Sequence, residues 1–117
     1  MKIFARLKKL REFQKTRLPH LRSIEDFDII YEIGASQENG GGRMTSKRLA
    51  LLGIAPPATL QRRLSRLVAL GVIEKQPACE DGRIVELSVS RKTAEAYANL
   101  ARQLRQAPQA NKKADRE

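Results

Sequence analysis

The chain has 117 residues, enough for one domain with a modest core. Its single cysteine, Cys79, excludes an internal disulfide and a cysteine-based zinc cluster, and it favours a reducing compartment. No apolar run approaches the roughly 20 residues that span a bilayer. Charged residues interrupt the N-terminus too often for a secretory signal. We therefore expect a cytoplasmic protein that makes no membrane contact.

The net charge of +10 is distributed unevenly along the chain. Residues 1–22 carry +7, residues 23–42 carry −5, and residues 43–76 carry +6. Such blocks indicate an oriented electrostatic field, and its natural polyanionic partners are nucleic acid or an anionic membrane surface. The alternative is that the charge serves solubility alone.

Residues 2–18 form a predicted basic amphipathic helix, which Pro19 bends or ends. Ser23 then opens a second helix, and Asp26 stands where the acid of an N-terminal capping box belongs. The apolar residues expected to face inward on this helix are Ile24, Phe27, Ile30 and Tyr31. Acidic residues of the same helix are expected at the surface: Glu25, Asp26, Asp28 and Glu32. The sequence "ENGGG" at 38–42 predicts a flexible loop.

The middle of the chain predicts a short helix, a tight turn and a longer helix. Thr45 caps the short helix, and Gly53 ends it. Pro57 suits the first turn of the next helix, which runs to about Leu70 and is followed by Gly71 at its C′ position. Two helices joined by so short a turn predict a helix-turn-helix.

Two strands follow, over residues 72–78 and 83–89. Ser90 then caps a last helix, which Pro108 is expected to end before a disordered tail at 108–117. The predicted fold class is mainly α with a small β-hairpin wing, a winged helix-turn-helix with flanking N- and C-terminal helices. The expected organisation is an N-terminal helix in 1–22, a winged domain in 23–90, a C-terminal helix in 91–107, and the tail.

The helix over residues 57–70 carries the clearest functional pattern. At 100° per residue, its inward stripe consists of Leu60, Leu64, Leu67 and Val68. The opposite face combines small residues with arginine: Ala58, Thr59, Arg62, Ser65, Arg66 and Ala69, with Gln61 at the edge. Residues 57–73 contain no acid, unlike an ordinary solvated face. Arg can contact guanine and Gln adenine in the major groove, so this helix is predicted to recognise DNA.

Asp81-Gly82-Arg83 lies at the predicted hairpin tip. Gly82 permits the positive φ of a tight turn, and Asp81 is a common turn former. Arg83 then stands where a wing meets the flanking duplex, and its guanidinium suits a narrow minor groove. The alternative is a simple turn with a solvated arginine.

Residues 43–90 resemble the DNA-binding lobe of the MarR family of bacterial transcription regulators. The family's "LT-x3-LA" corresponds to "MTSKRLA", its recognition helix to "PPATLQRRLSRLVALGVIEK", and its Asp-x-Arg wing signature to Asp81-Gly82-Arg83. The expected DNA contacts are Arg43, Thr45, Ser46, Lys47, Pro57, Ala58, Thr59, Gln61, Arg62, Ser65, Arg66 and Arg83. The resemblance also implies a homodimer formed by the first and last helices, through Ile3, Leu7, Leu10, Tyr97, Leu100 and Leu104.

No residue set indicates catalysis. His20 is the only histidine, its spacing from Cys79 matches no metal site, and no nucleophile–base set is present. The glycines at 40–42 lack the Lys-Ser/Thr of a phosphate-binding loop. We expect no enzyme, no cofactor and no metal.

The leading hypothesis is a sequence-specific, double-stranded DNA-binding transcription regulator of MarR-like type. Three alternatives remain open: a winged-helix protein interaction module, a plasmid or phage replication or partition factor that binds DNA, and a membrane-surface role for residues 2–18. The sequence does not specify whether an effector binds, or which one.

Overall fold

The computed structural model describes residues 2–21, 23–40, 42–78 and 83–114. Its elements follow the order α1 (Ile3–Arg17), α2 (Ile24–Glu38), β1 (Met44–Thr45), α3 (Ser46–Leu51), α4 (Pro57–Ala69), β2 (Ile73–Pro77), β3 (Val85–Val89) and α5 (Arg91–Ala114). The chain divides into two compact units. Unit 1 consists of Met1–Leu21 with Ala94–Glu117, and unit 2 consists of Arg22–Thr93.

Unit 2 has the predicted winged helix-turn-helix architecture, with a small antiparallel sheet of order β1-β3-β2, in which β1 precedes α3 and the β2–β3 hairpin follows α4. The β2–β3 hairpin has Ile73 opposite Val89 and Pro77 opposite Val85. The two-residue strand β1, with Met44 opposite Leu87, has no counterpart in the prediction. A strand of two residues is too short to give a periodic pattern, so only its pairing with β3 defines it.

The predicted inward face of α2 is partly wrong. Phe27 and Ile30 are buried as expected, whereas Ile24 is 78% exposed and Tyr31 is also exposed. Fully buried Ile29 and Ile33 define the true stripe. At 100° per residue, Ile24 lies about 140° and 180° from these two side chains, on the opposite side of the helix.

The helix-turn-helix forms largely as its capping residues predict. Thr45 Oγ1 accepts a hydrogen bond from the Arg48 N–H at 3.1 Å, which caps α3. Five residues connect α3 to α4, and Gly53 within them has a φ of 70°. Gly71 follows α4 with a φ of 76°, the left-handed conformation expected at a C′ position. The inward stripe is confirmed for Leu60, Leu64 and Leu67, which are buried, whereas Val68 is half-buried.

Helix α5 begins as predicted but continues farther. Ser90 Oγ accepts a hydrogen bond from the Thr93 N–H at 3.3 Å. The helix then passes Pro108 and ends at Ala114, so the predicted end at Pro108 is wrong. A proline removes one backbone hydrogen bond, whereas the alanine, glutamine and lysine residues around it all favour a helix. Within unit 1, Phe13 of α1 and Tyr97 of α5 place their ring centroids 4.7 Å apart.

Candidate nucleic-acid interface

The outer face of α4 is exposed, as the helical periodicity predicts. Ala58, Gln61, Arg62, Ser65, Arg66 and Ala69 are exposed, as is Pro57 at the start of the helix, and Thr59 is half-buried. The face carries arginine but no acid, so its electrostatic potential is positive. Arg62 Nη2 lies 3.4 Å from Thr59 Oγ1, one turn earlier on the helix, where the hydroxyl accepts a long hydrogen bond from the guanidinium.

The predicted contact residues around α3 belong to the same unit as α4. Arg43 and Lys47 are exposed, whereas Thr45 and Ser46 are half-buried. Thr45 uses an oxygen lone pair to cap α3, and its O–H remains a donor that could reach an anion. The two roles predicted for Thr45, capping α3 and contacting DNA, are therefore compatible with each other.

The hairpin is anchored at its base and along its length. The Val89 N–H donates a hydrogen bond to Gln37 Oε1 of α2 at 2.7 Å. Near the tip, the Ala78 N–H donates to the Ile84 carbonyl at 2.9 Å. Arg83 is exposed. The predicted turn residues Asp81 and Gly82 lie outside the described residues.

Arg63, the third arginine of α4, was not among the predicted functional residues. Arg63 does not lie on the outer face with Arg62 and Arg66, but turns toward α2. Its Nη2 lies 3.0 Å from Glu25 Oε1, and its Nη1 lies 3.6 Å from Asp26 Oδ1. We call Glu25, Asp26 and Arg63 the Arg63 cluster.

The prediction that Asp26 lies at the surface is wrong, because Asp26 is only 1% exposed. The predicted capping box is also absent, since Ser23 Oγ accepts from the Glu25 N–H at 3.1 Å and Asp26 instead faces Arg63. The sequence did contain a signal. At 100° per residue, Asp26 lies within about 60° of Ile29, Ile30 and Ile33, in the middle of the buried stripe.

The residues predicted to form a dimer differ in their exposure. Ile3 is 61% exposed and Leu7 is 47% exposed, whereas Leu10, Tyr97 and Leu104 are half-buried. Leu100 is 6% exposed and is thus already buried within a single chain. The exposed apolar side chains of α1 are the part of this set that is available to a partner.

The described part of the chain holds neither a metal-ligand cluster nor a membrane-spanning helix. Residues 2–21, 23–40, 42–78 and 83–114 contain no group of three His, Cys, Asp or Glu side chains that could hold a metal ion. Within the same ranges, no helix combines the length and apolar character needed to cross a bilayer.

Several solved structures share this architecture. The transcriptional regulator Tm0710 from Thermotoga maritima superposes with a TM-score of 0.63 at 20% identity, over 92% of this chain and 72% of that one. A crystal structure of MarR gives a TM-score of 0.58 at 23% identity, over 84% and 69% of the two chains. The chain has a MarR-type winged-helix fold. No protein-family model and no curated protein sequence matches it.

A third structure includes a nucleic acid. It is a mutant MarR from E. coli complexed with operator DNA, with a TM-score of 0.55 at 22% identity, over 91% of this chain and 71% of that one. At these identities the likeness concerns the MarR-type fold.

Proposed function

We propose that this protein is a sequence-specific, double-stranded DNA-binding transcription regulator of MarR-like type. The observation that carries the proposal is the outer face of α4, which is exposed, free of acids and occupied by arginine among small residues. The MarR-type fold supports it, because a MarR of the same fold is complexed with operator DNA.

In the proposed complex, α4 enters the major groove. A helix with Ala58, Ser65 and Ala69 on its outer face can approach base edges closely, because these side chains are small. Arg62 and Arg66 lie one turn apart on the same face and can each form a bidentate contact with guanine. Gln61 at the edge can contact adenine in the same way. The base pairs contacted by Arg62, Arg66 and Gln61 would form the centre of each half-site.

The remaining contacts position the protein on the duplex. Arg43, Ser46 and Lys47 would contact phosphates beside the major groove, and the Thr45 hydroxyl would donate to another. Arg83 would enter the adjacent minor groove, where narrow A·T-rich sequences concentrate negative potential. These contacts fix the register of α4 on the DNA and contribute most of the salt-sensitive affinity.

The proposed regulator is a homodimer. The exposed apolar residues Ile3, Phe4 and Leu7 lie on the first turns of α1, where a monomer in water would leave them uncovered. Covering them with a second copy removes this apolar surface from water, which is favourable. A two-fold dimer also places two copies of α4 on a palindromic site, with half-sites about 34–36 Å apart.

A selection experiment tests the proposed function. The full chain is mixed with a random library of duplex DNA, bound molecules are recovered over several rounds, and the enriched sequences are measured by gel shift. We expect enrichment of a palindromic motif. Equal binding to enriched and random duplexes would refute sequence-specific recognition, and no binding to either would refute the proposal and favour the protein interaction module.

A matched control separates specific recognition from general positive charge. Arg62 on α4 and Arg102 on α5 are both exposed arginines that contact a polar side chain three residues away. We expect Arg62→Ala to reduce binding to the enriched sequence strongly and Arg102→Ala to have little effect. Equal losses in both variants would indicate that charge alone carries the binding.

A further inference from the structure

The Arg63 cluster joins two helices through charges that are withdrawn from water. Asp26 and Glu25 occupy the first turn of α2, and Arg63 lies in the middle of α4. The side chain of Asp26 is 2% exposed and that of Arg63 is 30% exposed. An ion pair of this kind differs from the surface pairs that contribute little to stability, since one partner is nearly completely desolvated.

The geometry of the cluster is directional. A planar guanidinium presents its N–H groups at fixed angles. Here Nη2 lies within hydrogen-bond distance of Glu25 Oε1 at 3.0 Å, whereas Nη1 lies 3.6 Å from Asp26 Oδ1, an electrostatic contact without a hydrogen bond. Glu25 is itself fixed, because Ser23 Oγ lies 3.3 Å from Glu25 Oε1 and accepts from the Glu25 N–H. Among the described residues, neither oxygen of Asp26 has a hydrogen-bond partner, so Arg63 is the cation that compensates this carboxylate.

We propose that the Arg63 cluster positions α4, fixing its rotation about its own axis so that Arg62 and Arg66 face the DNA at the correct angle. Arg63 is thus a positioning residue rather than a DNA contact. The inference rests on the proposed function of α4. It assigns the neighbouring arginines of one helix to different tasks, with Arg62 and Arg66 directed outward and Arg63 directed inward.

Apolar packing alone would leave this rotation less well defined. Leu60, Leu64 and Leu67 bury α4, but hydrophobic contact is non-directional. A helix has a radius of about 5–6 Å with its side chains, so a rotation of about 20° displaces its surface by about 2 Å. Hydrogen bonds to base edges tolerate a range of only about 0.5 Å in donor–acceptor distance. Accurate base contact therefore requires a directional constraint, which the cluster supplies.

The test uses a variant that removes the charges of Asp26 and Arg63 together, so that neither is left buried without its partner. The double variant Asp26→Leu with Arg63→Met replaces the pair by apolar side chains, a change that is often neutral or stabilising. Its urea midpoint is compared with that of the unaltered chain. If the double variant does not fold, Asp26→Asn with Arg63→Gln removes both charges and retains polar side chains.

The first measurement does not depend on DNA. Spin labels are attached in a Cys79→Ser background at Glu32→Cys on α2 and Ala69→Cys on α4, both exposed positions. We expect a single narrow distance distribution with the cluster intact and a broader one in the double variant. An unchanged distribution would overturn the proposal whatever the protein binds.

The second measurement is the ratio of affinities for the enriched and the random duplex. We expect this ratio to fall by about tenfold in the double variant, as if one bidentate base contact were lost, while binding to random duplex is unchanged. An unchanged ratio would overturn the positioning role. If the unaltered chain shows no preference at all, the proposed function fails, and the spin-label result alone decides whether the cluster fixes α4.

Discussion

The three arginines at 62, 63 and 66 illustrate how angular position decides the role of a residue. Arg62 and Arg66 are exposed, whereas Arg63 is half-buried and paired with acids of α2. At 100° per residue, Arg63 is rotated away from Arg62 toward Leu60, Leu64 and Leu67, which form the buried stripe. Chemically identical side chains therefore lie on the exposed face of the helix or beside a buried carboxylate.

The outward arginines give the first prediction. Arg62→Ala and Arg66→Ala should each relax the base preference at one position of the half-site, at a cost of about 1–3 kcal/mol in discrimination. Sequence selection with each variant measures this as lost information at that position. If both variants return the original motif with the original information content, α4 does not contact the bases.

Arg83 gives a prediction of a different kind, because a wing contacts DNA outside the bases that α4 covers. Arg83→Ala should weaken affinity, most strongly for sites with A·T-rich flanks, while the central motif stays the same. Arg83→Lys should restore only part of the affinity, since an ammonium is more strongly hydrated than a guanidinium. The measurement is affinity for matched sites that differ only in their flanks, and equal losses on both flanks would reduce Arg83 to a phosphate contact.

At the scale of the helices and strands, capping residues and periodicity predicted most of the fold. Thr45, Ser90 and Gly71 mark helix ends through local interactions that the sequence shows directly. The strand β1 escaped prediction because its two residues are defined by pairing with a distant strand. The end of α5 was misplaced because a single proline was given more weight than the helix-forming residues around it.

The candidate site was predictable to a similar degree. The exposed face of α4 follows from its periodicity, whereas the Arg63 cluster depends on how α4 packs against α2. Asp26 was assigned to the surface on residue type, although its angular position among Ile29, Ile30 and Ile33 indicates burial. A charged residue in a buried stripe implies a partner of opposite charge, but a single sequence does not identify which of many arginines supplies it.

The packing of α2 against α4 can be tested through stability. Arg63→Met leaves the carboxylate of Asp26 buried without its cation, and breaking such a pair costs about 3–5 kcal/mol. Because the Arg63 side chain is 30% exposed, we expect Arg63→Met to lower the free energy of unfolding by about 3 kcal/mol. The control Arg62→Met alters an exposed side chain of the same helix and should change stability by less than about 0.5 kcal/mol. Urea unfolding measures both, and equal effects would refute the role assigned to the pair.

At the scale of the whole molecule, we first expect two copies of the chain to form a homodimer. Ile3→Lys with Leu7→Lys places charges on the exposed apolar residues of α1 and should shift the protein toward monomer. Leu51→Lys is the control, because Leu51 is an apolar side chain of unit 2 that is even more exposed, at 79%. Light scattering across a concentration series distinguishes the states. A soluble monomer of the unaltered chain at high concentration would contradict the dimer.

The charge distribution leads to the last prediction, because the whole basic surface acts on DNA together. The segment 43–76 carries +6, but the charge of Arg63 is compensated by acids of α2 and adds little to the external field. Other exposed cations of this segment include Arg43, Lys47 and Arg62, and Arg83 lies exposed on the wing. If each protomer neutralises about four phosphates, a dimer neutralises about eight. The logarithm of the DNA-binding constant plotted against the logarithm of the salt concentration should then have a slope of about −7.

Substituting one cation at a time then measures how much each residue contributes to this slope. Lys47→Ala removes one proposed phosphate contact from each protomer and should make the slope of the dimer shallower by about 2, with a similar loss on every sequence. Arg63→Met in the Asp26→Leu background should leave the slope unchanged, because that cation is already compensated within unit 2. A slope shallower than about −2 for the unaltered chain would contradict the electrostatic basis of DNA binding. A slope that falls equally in both variants would show that Arg63 faces the DNA rather than α2.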